Sequence, residues 1–237
     1  GDARHDDGGD SSSFEMSSTI FPQSRNGVAR YFVGLAGCPG SGKSTLARVL
    51  CRKVNARMGS EVAVVVPMDG FHFTKKELEG MLRPEEAKRR RGAHWTFDAE
   101  AFADRLLSLK NQDNKHDADA NRSDANGTIL FPSFDHGVGD PEAGAIAVTL
   151  HHRVVIVEGL YLLLDVPPWR TIREDVLDLR CFIQCPVGLA LQRVIHRKIH
   201  VNGLAKEEAT KQAHYNDKRN AILVWKTRHK ADVLIPM

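Results

Sequence analysis

Three side chains far apart in the 237-residue chain, Lys43, Asp69 and Glu158, are of the types that could together move a phosphoryl group. Lys43 stands in GCPGSGKST, which fits the spacing GxxxxGK[ST] over residues 37–44. Glycines there leave backbone N–H groups free to curl around phosphate oxygens, the helix that follows adds the positive end of its dipole, and the lysine reaches the β- and γ-phosphates. Gly37, Cys38, Pro39, Gly40, Ser41, Gly42, Lys43, Ser44 and Thr45 are therefore expected to hold ATP, with the Ser44 hydroxyl on Mg²⁺. Asp69 and Glu158 each end an apolar run, EVAVVVPMD and VVIVE. Of two such carboxylates one can hold the metal, directly or through water, and the other can take a proton from a hydroxyl. The plain alternatives are an Asp-Gly turn at Asp69 and an acid that merely closes a strand at Glu158.

Strands must bring these groups together. The runs at 29–37, 61–68, 153–159, 180–185 and 231–236 are short and rich in Val, Ile and Phe, as strands buried on both faces are. Amphipathic patterns at 43–57, 98–110, 187–200 and 205–226 read as helices between them. Strand and helix in alternation imply an α/β fold, a three-layer phosphate-loop architecture whose mainly parallel sheet gathers ligands at the carboxyl ends of its strands. TILF and AIAVTL read as a smaller accessory pair.

Residues 1–27, rich in Gly, Ser and Asp, read as a disordered tail, and 28–237 as one kinase-like domain with a polar insertion at 111–127. A net charge of +3 does not by itself call for nucleic acid, and no nucleic-acid partner is expected. Glu158, Gly159 and Asp165 break the longest apolar stretch well short of the roughly 18 residues a membrane span needs, so no membrane partner is expected. Four cysteines without a CxxC pair suit reduced thiols and a cytoplasmic setting. A homodimer is left open.

GCPGSGKST, PMDGFH, RRRGAHWTFD, FPSFDHGVGDP, VVIVEGLYLLL and YNDKRNA, taken in order, resemble the uridine kinase and phosphoribulokinase branch of phosphate-loop kinases, in particular its nucleoside-kinase-like group. The resemblance implies that Asp69 activates the acceptor hydroxyl and that His72 faces the substrate. It also implies that Asp98 contacts sugar hydroxyls and that the loop holding Phe134, Asp135 and His136 binds the base. Asp98 fits a helix N-cap equally well. SFDHGVGDP departs from the Tyr-Asp-Phe pattern of uridine kinases, which argues against uridine itself.

Arg193 and Arg197 lie four residues apart on one helix face and match the family's lid, where cations neutralise charge on the transferring group. A solvated basic helix is the alternative. In the run KRRR, Arg91 is expected to meet an anionic group of the substrate. Asn216, Asp217 and Asn220 suggest either an active-site role or an exposed polar face. The resulting expectation is an ATP- and Mg²⁺-dependent kinase acting on a hydroxyl of a small molecule. The rival readings are a nucleotide switch or ATPase, weakened by the lack of an LSGGQ-like signature, and a non-catalytic nucleotide-binding protein.

Overall fold

The computed structural model describes residues 30–112, 127–134 and 139–237. The expected tail, most of the polar insertion, and Asp135 and His136 lie outside the described residues. In chain order the elements are β1 (Tyr31–Gly37), α1 (Lys43–Met58), β2 (Ala63–Pro67), α2 (Lys75–Glu79), α3 (Pro84–Arg89) and α4 (Ala99–Asn111). There follow β3 (Ile129–Phe134), β4 (Pro141–Val148), β5 (Val154–Gly159), α5 (Trp169–Thr171), β6 (Leu179–Gln184), α6 (Val187–His200), α7 (Lys206–Gln212), α8 (Lys218–Lys226) and β7 (Val233–Pro236).

Five strands pair in parallel in the order β2-β5-β1-β6-β7. Consecutive apolar residues serve both faces of the inner strands: Val155, Ile156 and Val157 of β5 are fully buried, as are Phe32 and Ala36 of β1. The register sets Glu158 opposite Leu35 on one side and Pro67 on the other. The carboxyl end of β5 thus lies between the start of the phosphate loop and the chain leading to Asp69. The sheet is the one the apolar runs predict.

β3 and β4 form a separate antiparallel hairpin. It approaches the turn after β2 so closely that a Cβ on Gly70 would lie 2.2 Å from the Pro132 carbonyl oxygen. Backbone proximity therefore explains the glycine after Asp69. The Asp-Gly turn considered above is replaced by a single 3₁₀ turn over Met68–Phe71.

The single helix expected over 205–226 is α7 and α8 joined by a π-turn at Ala213–Asp217. Such an insertion rotates the following residues around the helix axis, which a 3.6-residue pattern does not reveal. Two short helices, α2 and α3, lie in a stretch where the sequence predicts none. Among the described residues no helix is long and apolar enough to cross a membrane.

Candidate active site

A cavity of about 940 Å³ opens along the carboxyl edge of the sheet. Pro39, Gly40, Gly42, Lys43, Ser44 and Thr45 line it from the loop after β1, Asp69 and His72 from the turn after β2, and Glu158 from β5. Arg193 and Arg197 line it from α6. Residues separated by more than a hundred positions are thereby assembled by strand order alone.

The loop at 37–45 has the geometry of an anion cradle. Gly40 and Gly42 hold φ of 76° and 90°, a left-handed conformation that glycine adopts without penalty. The Lys43 ammonium, buried, donates to the Cys38 carbonyl at 3.3 Å. Gly37, Cys38 and Ser41 are not among the lining residues and sit behind the cradle. Burial pushes the Cys38 thiol up to about 11, so this cysteine fills space as a protonated group.

The Ser44 hydroxyl donates to Glu158 Oε1 at 2.9 Å. Burial raises the Glu158 carboxyl above the usual range and Asp69 adds to that rise, while Lys43, the Ser44 hydrogen bond and Arg48 oppose it. A hydroxyl beside a carboxylate is a hard oxygen donor set, which fits Mg²⁺. Among the described residues no cluster of three His, Cys, Asp or Glu side chains could hold a metal alone. A Mg²⁺ ion at this site would take its remaining ligands from phosphates and water, as Mg²⁺ commonly does.

His72 stacks against Phe97 at 4.0 Å and Phe134 at 4.6 Å between ring centroids, and all three line the cavity. Of the two roles expected of Asp98, which can hold together, the geometry shows the helix cap. Its carboxylate caps α4, accepting from the Ala101 N–H at 2.9 Å, and its neighbour Phe97 lines the cavity. Arg91 also lines the cavity, but its guanidinium does not point to an open anion site. It donates to Asp140 Oδ1 and the Phe73 carbonyl at 2.8 Å each, and to the Gly139 carbonyl.

YNDKRN is a clamp. Arg90 donates to Asn216 Oδ1 at 2.8 Å and Asn220 Oδ1 at 3.2 Å, and the two amides donate back to the Arg91 and Gly92 carbonyls at 2.6 and 3.0 Å. The Tyr161 hydroxyl also donates to the Gly92 carbonyl, at 2.7 Å. Asn220 is buried, so Asn220→Ala removes one of the acceptors of Arg90 and one of the two donors to the Gly92 carbonyl, leaving Asn216 and the Tyr161 hydroxyl in place, and is expected to cost about 1–3 kcal/mol by denaturant unfolding. A loss below a few tenths would show that the clamp is slack.

Asp217, last residue of the π-turn, lines the cavity 3.5 Å from the Lys198 ammonium of α6. Burial raises its carboxyl and outweighs the opposing pull of Lys198 and Arg197. The folded protein therefore holds this proton to higher pH than the unfolded chain, and its contribution to stability falls as pH rises from the ordinary aspartate range to the raised value. Asp217→Asn should gain in Tm on the parent as pH climbs through that window. A difference independent of pH would contradict the assignment.

Arg48, Phe97, Tyr161, Lys198 and Asp140 were missed by sequence reasoning. Arg48, Phe97 and Lys198 each neighbour a recognised group, one turn beyond Ser44, one residue before Asp98 and one residue beyond Arg197, while Tyr161 and Asp140 stand within the quoted motifs VVIVEGLYLLL and FPSFDHGVGDP.

Residues 32–237 match the family model described as the phosphoribulokinase/uridine kinase family. The chain is 38% identical over 208 residues to "Putative uridine kinase C227.14" of Schizosaccharomyces pombe, covering 87% of this chain and 83% of that protein. It is 33% identical over 187 residues to the ATP-dependent kinase YFH7 of Lachancea thermotolerans, covering 69% of this chain and 54% of that relative, about half its length. Among solved structures, a putative fructose transport system kinase from Silicibacter sp. TM1040 superposes with a TM-score of 0.75 at 34% identity, covering 92% of this chain and 93% of the other.

Proposed function

This chain belongs to the phosphoribulokinase/uridine kinase family, and from that premise we propose that it moves the γ-phosphoryl group of ATP onto a hydroxyl of a small molecule, in the range of nucleosides, sugars and vitamin-like alcohols. The observation that carries this reading is the presence of Asp69 in the same cavity as Lys43, Ser44 and Glu158. A cradle alone binds nucleotide; a further carboxylate lining the same cavity gives the site something to do to an acceptor. The relatives named for uridine and fructose transport are consistent with an alcohol acceptor.

In this mechanism Gly40, Gly42, Lys43, Ser44 and Thr45, the loop residues with an N–H that line the cavity, offer their backbone N–H groups to the triphosphate and the Lys43 side chain neutralises its terminal oxygens. Ser44 and Glu158 would hold Mg²⁺, which when bound supplies charge neutralisation and alignment of the phosphates. Asp69 accepts the proton of the acceptor hydroxyl as that oxygen bonds to phosphorus and the bond to ADP breaks. Arg193 and Arg197 face the charge that spreads over the transferring group, and closure of α6 would exclude water. His72 and Phe134 wall the acceptor side, where Asp135 and His136 of the same loop are proposed to contribute.

A switch or ATPase remains the rival from another class. The letters NKHD over 114–117 match the guanine-reading spacing NKxD and lie outside the described residues. ADP release measured across nucleosides, sugars, glycerate and pantothenate separates the readings. The kinase requires acceptor-stimulated ADP release. Hydrolysis independent of every acceptor would support the switch, and ATP binding without any turnover would support the non-catalytic protein.

A further inference from the structure

Lysines and arginines are distributed unevenly around the cavity. Among the described residues, Lys43 and Arg48 lie on the loop and α1, and Arg193, Arg197 and Lys198 lie on α6, so five of the six that line it belong to elements on the phosphate side. Arg91 is the sixth, and it stands with His72, Phe97, Phe134 and Gly139 on the side of β2 and the hairpin.

That sixth cation is already matched. Its two terminal nitrogens serve Asp140, Phe73 and Gly139, and its remaining nitrogen, Nε, is buried out of reach of a bound molecule. The Asp140 carboxylate also accepts from the Lys75 backbone N–H at 3.0 Å, which fixes it against α2. The rest of the basic run is consumed in the same way. Lys88 pairs with Glu79 and Glu85 at 3.3 and 3.5 Å, Arg89 lies 5.3 Å over the Tyr215 ring, and Arg90 is held by Asn216 and Asn220. An acceptor carrying a carboxylate or phosphate would have to displace Asp140 from a partly buried pair, with the Asp69 carboxylate lining the same cavity. Ring surface is plentiful there: the His72 ring lies tilted against Phe97 on one hand and Phe134 on the other, and Ile146 also lines the cavity.

We propose that the acceptor side takes an uncharged alcohol bearing a flat ring, and that Asp140, by occupying Arg91, is the specificity-determining residue that excludes anionic acceptors. The inference rests on the kinase reading given above. Its chemical logic is a difference of affinities: a paired arginine offers an anion no net charge, whereas an arginine relieved of its carboxylate would.

The test is kcat/KM for two acceptor sets under saturating MgATP. One set holds neutral ring alcohols, such as ribonucleosides and pyridine alcohols; the other holds D-glycerate, pantothenate and a pentose phosphate. The parent should favour the neutral set by about tenfold or more, and Asp140→Asn should move the ratio toward the anionic set by about tenfold. The KM for ATP should stay within about threefold in that variant, since Asp140 does not line the phosphate side. A parent that prefers the anionic set overturns the proposal, as does a folded Asp140→Asn protein whose ratio is unmoved. The parent ratio decides the substrate class even if the variant does not fold. ADP release with neither set, in protein that binds ATP, overturns the kinase reading itself and this inference with it.

Discussion

Asp69→Asn is expected to lower kcat by roughly 10²-fold or more while ATP affinity stays within about threefold, since a positioned general base contributes on that scale. Asparagine keeps the shape and removes the proton acceptor. The backbone of the turn depends on other groups: the Asp69 carbonyl accepts from the His72 N–H at 3.2 Å and lies 2.8 Å from His72 Nδ1, and neither contact uses the carboxylate. The cradle and Ser44–Glu158 are likewise untouched, so nucleotide binding should persist. The Asp69 charge is one cause of the raised Glu158 carboxyl, so its removal should make Glu158 easier to ionise. Steady-state kinetics paired with equilibrium ATP binding reads both halves. Near-normal turnover would remove Asp69 from the chemistry, and loss of ATP binding would make its role structural.

Gly40→Ala should cost about 2–4 kcal/mol of stability, the sum of a left-handed alanine and a forced contact in packed surroundings. A Cβ there would sit 2.2 Å from the Ala190 carbonyl oxygen and 3.0 Å from Val194 Cγ2, at a φ of 76°. Ala190 is buried within α6, so relief requires shifting either the phosphate loop or the helix that carries Arg193 and Arg197. Both movements disturb the cavity, and ATP binding should weaken by tenfold or more, the equivalent of about 1.4 kcal/mol. Gly59 supplies the control. It has a φ of 65° but no atom within 4 Å of its would-be Cβ, so Gly59→Ala should cost only about 1 kcal/mol. Equal Tm losses in the two variants would show that the contact with α6 is not what requires a glycine at position 40.

The groups that the sequence revealed share one property: each stands at the end of a recognisable strand or on a periodic helix face. Lys43, Asp69 and Glu158 follow apolar runs, and in a parallel sheet the ends of such runs share one edge. Arg193 and Arg197 are one turn apart on a helix whose bounds, Val187–His200, match the pattern. What stayed hidden depends on contacts between distant segments. Nothing local to Arg91 announces that its charge is spent on Asp140, 49 positions later. Nor does Asn220 advertise the Gly92 carbonyl, 128 positions earlier. Asp98 and Phe97 show the limit most plainly: the polar residue drew the attention, its Oδ1 caps α4 as one of its two expected roles requires, and the apolar neighbour that drew none lines the cavity. The π-turn at Ala213–Asp217 adds a second kind of concealment, because one inserted residue redirects Asp217 toward the cavity without altering helical character in the sequence.

The central claim is that the cradle, the metal pair and Asp69 form a single transfer site. Its most direct test follows the label from [γ-³²P]ATP after incubation with a deproteinised pool of small metabolites, for the parent and for Asp69→Asn side by side. The account predicts label in an organic phosphate ester with the parent and almost none with the variant. Label released only as inorganic phosphate, at the same rate in both proteins, would contradict it.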